Sequence, residues 1–476
     1  MDSNVKAVSE LNTIFDRLGV PCKVCVTSEE GKHVRATKDM EKGFALVEEI
    51  PIVSWPAPSL LALSIPFCFH CLRLSRHHLS SAVSDAESPS VTPCSSLTCA
   101  TGAAAAAALP ESWSKCPDCV SYFCSSECQQ ASARVHRLLC SCLPELRASH
   151  SGSGGSGGKG ADTVTASESP FPTTNSPAPI SAPCAITLEA LARGVAWVTH
   201  RLSYAIEREQ LTHEVLQADY VQQQQQQQQE SGHSASVGDM WSTASLNYQL
   251  FTQVVTPLNR LIGLPDNATI RNVPLASWIA QLRVLLADVC VEHLLVASGA
   301  TLSSVQRHPL SFGEEEQQPA ALAPVLLWPE ALVQVLLSTD TLKTLLGQMV
   351  LNAHAVNDYV LPPVESASTG GFDWILKGGG LYSLLSCFNH SCVPNAVVSN
   401  VDGTHEIVLK ATRPIRADEQ VTITYIPLDP GTSTRAERQE LLNNYFFTCR
   451  CPQCTMEVAE GEGVMSSPIT RSSDAA

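Results

Sequence analysis

Apolar and polar positions alternate along residues 22–55 in three runs, CKVCV, HVRATKDM and FALVEEIPIVSW, broken by the turn signals Glu30-Gly31 and Lys42-Gly43. A period of two predicts short strands. Leu342, Leu345, Leu346, Met349, Val350 and Ala353 instead recur at helical spacing, and Leu282, Val284, Leu285, Leu286 and Leu294 also fit a buried helix. From Leu381 onward short strand-like runs return as NAVVSNV, EIVLKA and QVTITYI. Strand-like runs thus flank a helical middle stretch. Low-complexity stretches interrupt this order. Residues 80–112 carry Ser, Thr, Pro and the alanine run Ala103–Ala108, residues 148–183 are rich in Ser, Gly and Pro, and Gln222–Gln229 is pure glutamine. Composition predicts these to be disordered or linking segments. A short acidic loop, Glu314–Glu316, is expected between two helices.

At 476 residues the chain can bury a sizeable core in two or three domains. Its net charge of −16 argues against tight nucleic-acid binding and suits a basic protein partner. The residues MDSNVKAVSELNTIFDRLG contain no apolar signal segment, and no run approaches a membrane span. An intracellular protein of the nucleus or cytoplasm is expected, with reduced thiols, so the 19 cysteines point to metal rather than disulfides.

The strongest chemical pattern is a ladder of eight ligand-type residues. Cys68-x2-Cys71 is followed, after 44 residues, by Cys116-x2-Cys119-x4-Cys124-x3-Cys128-x7-His136-x3-Cys140. Zinc takes four N/S ligands, so eight make two closed, structural sites. The early pair Cys22-x2-Cys25 sits in a strand-like run without partners and is expected to be buried thiols. A third group, Cys449, Cys451 and Cys454, is one ligand short of a tetrahedron. Its natural fourth member is Cys392, in CFNHSCVPNA, with Cys387 of the same stretch as the alternative.

The ladder resembles the MYND zinc finger, a protein-interaction module in which ligands interleave. That resemblance implies one zinc on Cys68, Cys71, Cys124 and Cys128, and another on Cys116, Cys119, His136 and Cys140. The stretches NHSCVPN, ITYI and CRCPQC, in that order, resemble a SET domain followed by a post-SET zinc motif. A SET domain with the finger inside it resembles the SET-and-MYND (SMYD) family of protein-lysine methyltransferases, which use S-adenosylmethionine. Because the chain runs only 22 residues past Cys454, it looks most like the fifth-member type, which lacks the C-terminal helical repeat domain.

The implied organisation is an N-terminal part of the SET domain at 20–67, a finger at 68–140 with its insertion at 80–112, and a linker at 141–185. A helical insert at 186–365, a catalytic SET part at 366–428, a post-SET motif at 429–456 and a disordered tail at 457–476 complete it. The fold class that the resemblance implies is α+β, a β-rich, pseudoknotted SET fold split by the finger and the helical insert, and three structural zinc ions are implied. Carried over by resemblance, Asn389, His390, Ser386 and Asn352 line the cofactor site, and Tyr425 stands at the reaction centre. Tyr445 is implied as a second catalytic residue, and Tyr425, Tyr445 and Phe447 wall the lysine channel. Gly31-Lys32-His33 resembles a Gly-x-Gly cofactor turn in which Lys32 contacts the cofactor, with His33 in place of the second glycine.

The implied activity is methyl transfer to lysine of histones or other basic proteins. Residues 372–454 hold 7 Lys+Arg against 8 Asp+Glu, so the acidity that would steer a basic substrate lies elsewhere. A rival reading is an adaptor whose finger recruits proline-rich peptides while an inactive SET domain serves as scaffold.

Overall fold

The computed structural model describes residues 2–62, 65–75, 109–148, 186–231, 245–265, 270, 273–301, 310, 327–360, 373–427 and 434–464. Three small sheets carry the β part. The first orders its strands β1 (Cys22–Thr27), β2 (Gly31–Ala36), β12 (Gln420–Ile423) and β9 (Asn389–His390). The second orders β10 (Ala396–Asn400), β11 (Ile407–Ala411) and β3 (Ala45–Glu49), and the third β4 (Val53–Pro56), β8 (Asp373–Leu381) and β7 (Ala353–Val360). A hairpin of β5 (Ser114–Lys115) and β6 (Tyr122–Phe123) belongs to the Cys-rich segment. Each of the three sheets therefore joins strands from both ends of the chain. The fold is α+β, as the resemblance implies.

The register in the first sheet positions the site. β12 pairs antiparallel with β2 (Val421 opposite Val34) and parallel with β9 (Thr422 opposite Asn389, Ile423 opposite His390). In the third sheet, β8 approaches β4 so closely that a Cβ on Gly378 would stand 1.9 Å from the Trp55 carbonyl oxygen, so only glycine fits there.

The insert is helical: Leu188–Arg208, His213–Ser231, Leu246–Asn259, Leu275–Ala297, Trp328–Leu336 and Thr339–Asn352 share one large core with the finger helix Ser126–Leu139. Thr187, Ser245 and Ser338 cap the first, third and sixth, their hydroxyls accepting backbone N–H groups. A buried ion network ties insert, finger and sheet together. Arg193 donates to Glu189 and, through Nη1, to the carbonyls of Ser54 (3.0 Å) and Phe69 (2.9 Å), and lies 4.0 Å over the Phe69 ring.

Several expectations need correction. Gln222–Gln229 lies inside the helix His213–Ser231 and is not disordered. Glutamine is a fair helix former, and the preceding turn is anchored by buried Leu216 and Tyr220, with Gln224 donating to the Tyr220 hydroxyl at 3.1 Å. Ala353 does not continue the helix but opens β7, so the insert ends before 365, because β7 finds a partner in β8. Val284 is 83% exposed, on the solvent side of its helix. Residues 143–148 form a helix whose Leu143 and Leu146 are buried, so the linker starts later than 141. The segment 457–464 is the continuation of the helix Pro452–Val464, held by the Arg438–Glu457 ion pair, and is not tail. A helix at Asp2–Leu18, unforeseen from the pattern, buries Leu11 and Phe15 against the first sheet. Ala103–Ala108, the acidic loop Glu314–Glu316, nearly all of the 80–112 insertion and most of the linker lie outside the described residues.

Candidate active site

Three groups of ligand atoms converge, each with all members within 4.8 Å: Cys68, Cys71, Cys124 and Cys128; Cys116, Cys119, His136 and Cys140; and Cys392, Cys449, Cys451 and Cys454. The sulfur edges fit an ion. A Zn–S length of about 2.3 Å implies tetrahedral S···S edges of about 3.8 Å. Cys71–Cys124 is 3.6 Å, Cys116–Cys140 3.7 Å, and Cys392 lies 3.9 Å from Cys449 and 3.6 Å from Cys454. In the second group Cys119 Sγ lies 3.2 Å from His136 Nε2. Each group could hold one zinc ion. Cys387 stays out of the third: it is fully buried in a 3-10 turn, and its thiol donates to the Ser383 carbonyl. Cys22 is likewise a core thiol, its pKa pushed up to about 12 by burial.

Beside the third group the chain Cys387-Phe388-Asn389-His390-Ser391-Cys392 passes from the 3-10 turn into β9. The backbone N–H groups of Leu384 and Leu385 donate to the Glu49 carboxylate at 2.9 and 3.0 Å, which anchors that turn to β3. Asn389 Nδ2 donates to the Glu30 carbonyl at 2.9 Å, so the Glu30-Gly31 turn is held against Asn389. Gly31 there takes the left-handed φ of +62°, and a side chain in its place would meet no heavy atom within 4 Å, leaving that side of the turn open.

His390 has a defined tautomer. Its Nδ1 accepts the Tyr425 N–H at 3.0 Å, so the proton sits on Nε2, which lies 3.4 Å from Cys392 Sγ and donates to it. Burial holds the His390 pKa down to about 4, in keeping with a neutral ring. A histidine donating to a metal-site sulfur orients that ligand and tempers its charge.

Tyr425, Tyr445 and Phe447 form one partly buried cluster. The Tyr425 and Tyr445 ring centroids are 5.1 Å apart, and Phe447 stands nearly perpendicular to Tyr425 at 6.3 Å. The Tyr425 hydroxyl donates to the Phe388 carbonyl at 2.7 Å, and the Tyr445 hydroxyl to the Tyr425 carbonyl at 3.3 Å. Burial raises the Tyr425 pKa above the usual phenol value, so it stays a hydrogen-bond donor. Two oxygens, one phenolic and one carbonyl, thus meet at the edge of an aromatic wall.

The remaining expected cofactor residues have protein partners. Asn352 is bound to the Ile262 backbone on both sides, donating to its carbonyl at 2.8 Å and accepting its N–H at 3.1 Å. Lys32 Nζ donates to the Arg260 carbonyl at 2.8 Å, and the Ser386 hydroxyl to the Ser383 carbonyl at 2.9 Å. His33 needs no glycine-like backbone. It lies in β2, is not among the described residues with positive φ, and its buried ring is held by Glu30, Arg35 and the Gly31 carbonyl. Glu49, Phe388 and Arg260 were missed as site-shaping residues. A lone acid at a strand end or a cation beside a helix end has no sequence signal of its own.

Residues 204–426 match the SET domain family. Among curated proteins, the chain is 43% identical over 79 residues to a protein-lysine N-trimethyltransferase SMYD5 of Gallus gallus, which is 16% of this chain and 19% of that protein. It is 36% identical over 104 residues to the Homo sapiens protein of the same name, 22% and 24% of the two chains. It is 37% identical over 95 residues to a histone-lysine N-methyltransferase SET5 of Saccharomyces cerevisiae, 20% and 18%. The chain thus spans about a fifth of the length of the curated relatives it matches. No described helix is long and apolar enough to cross a membrane.

Proposed function

We propose that the chain, whose residues 204–426 match the SET domain family and which is similar to SET-and-MYND relatives, is an S-adenosylmethionine-dependent protein-lysine N-methyltransferase acting on histones or other basic proteins. The observation that supports this reading most is the meeting of the Tyr425 hydroxyl and Phe388 carbonyl, at 2.7 Å, beside the Asn389-His390 pair and under the Tyr445 and Phe447 rings.

A free lysine has a pKa of about 10.4, yet only the neutral amine is nucleophilic. Rings of Tyr425, Tyr445 and Phe447 take the alkyl stem and exclude water, which lowers that pKa by desolvation. S-adenosylmethionine, when bound, supplies the methyl group and a sulfonium charge that lowers the amine pKa further. Asn389, His390 and the open Glu30-Gly31 turn are the residues that would hold it, and the Tyr425 and Phe388 oxygens would orient the amine and an electron-poor methyl group in line. The zinc ions are structural: four protein ligands leave no position for substrate.

Total histones with labelled methyl donor are the test. Tyr425→Phe is expected to lower methyl transfer by about 100-fold, the scale of losing one positioned polar group, with cofactor affinity changed less than about threefold. Undiminished transfer by that variant would overturn the reading.

A further inference from the structure

The helix Asp2–Leu18 packs against residues that support the site. Leu11 and Phe15 are fully buried in the core that holds β1, β2, Phe388 and Ile423. Phe15 stacks on Phe388, with ring centroids 6.4 Å apart and planes 29° from parallel. Asn12 grips β1 twice: its Nδ2 donates to the Val24 carbonyl at 3.1 Å and its Oδ1 accepts the Val24 N–H at 2.7 Å. Glu10 pairs with Arg260 at 2.6 Å, and the Arg260 carbonyl in turn accepts the Lys32 ammonium. Gly19, at φ +67°, ends the helix and turns the chain into β1.

The position of Phe388 makes this packing matter. Its ring rests on Phe15, its carbonyl receives the Tyr425 hydroxyl, and its chain neighbour is Asn389. With Phe15 truncated, the Phe388 ring loses its support and can move into the space left behind. The carbonyl would move with it, and a shift of even 1 Å in a positioned group can cost on the order of 100-fold in rate.

We propose that the helix Asp2–Leu18 is a positioning element for methyl transfer, with Phe15 as the positioning residue acting through Phe388 on Tyr425. This rests on the methyltransferase reading above. In the full chain, Phe15→Ala is expected to lower kcat on total histones at least tenfold. KM and the zinc content should stay near wild type, at a temperature where both proteins are folded. Phe15→Leu, which refills most of the space, should restore most of the rate. Leu18→Ala, at an exposed position of the same helix, should change nothing. Amide hydrogen exchange gives a readout that does not depend on activity. In Phe15→Ala the amides of residues 388–391 and 423–425 should exchange at least tenfold faster, while the finger keeps its protection. Unchanged kcat together with unchanged exchange at 388–391 would overturn the proposal. If Phe15→Ala loses its fold, Phe15→Leu carries the same comparison at smaller amplitude. Wild-type protein that transfers no methyl group, with the faster exchange still seen in Phe15→Ala, would sink the enzyme reading and leave the positioning contact standing.

Discussion

The Tyr425 backbone N–H donates to Nδ1 of His390 at 3.0 Å, and the other nitrogen of that ring lies 3.4 Å from Cys392 Sγ. One imidazole therefore links the third cysteine group to Tyr425, just past the end of β12. A change at the metal group has a two-bond route to Tyr425, whereas the finger groups lie elsewhere in the fold.

That route makes metal loss selective. Cys451→Ser, which leaves three ligands, is expected to lower methyl transfer by about 100-fold. Cys128→Ser in the finger should cost less than about fivefold while also releasing one zinc per chain. Zinc counted by atomic emission alongside activity separates the two. Equal losses would break the link drawn through His390.

The aromatic wall should be sensitive to size more than to polarity. Phe447→Ala opens the space beside Tyr425 and admits water, so the amine keeps its proton. A fall in kcat/KM of about 10- to 100-fold is expected, least severe at high pH, where more of the free amine is neutral. A pH profile parallel to that of wild type would argue against desolvation as the reason for the wall.

Arg193 should matter for stability rather than chemistry. It and Glu189 are buried, and removing one partner of such a pair leaves the other charge uncompensated, a cost of about 3–5 kcal/mol. Arg193→Ala should also leave the Ser54 and Phe69 carbonyls without their donor. Denaturant unfolding measures the loss, and a change below about 1 kcal/mol would show that the network is replaceable.

Glu49 provides a pH test. Burial pushes its pKa up to about 7, against three backbone N–H groups that favour the ionised form. The folded state then holds the proton more tightly than the unfolded chain. Glu49 contributes stability that is complete below the unfolded carboxylate value, near 4.5, and is lost as pH rises through about 7. At 1.36 kcal/mol per unit, the window amounts to at most about 3 kcal/mol. Relative to Glu49→Gln, wild type should lose stability between those pH values. A flat difference would show that the N–H groups balance the burial.

The two levels of description divide along the range of the forces involved. Ligand spacing, strand alternation and the motif CFNHSCVPNA were legible in the chain because each depends on neighbours a few residues apart. The cysteine ladder predicted closed four-ligand groups, and the leucine spacing at 342–350 predicted a helix that is present. Other features depend on partners hundreds of residues away. Cys392 and not Cys387 joins Cys449, Cys451 and Cys454 because the 3-10 turn points the Cys387 thiol at its own backbone. Gln222–Gln229 is helical because the turns before it are anchored by buried Leu216 and Tyr220. The helix Asp2–Leu18 gains its place from Phe388, which no local pattern announces. The sequence by itself determined which residues can bind metal and form strands, since those are properties of side chains and short spacings. Only the tertiary structure decided that β12 runs between β2 and β9, and therefore that Tyr425 meets Phe388 and His390, because pairing strands from opposite ends of the chain depends on the burial of the whole core.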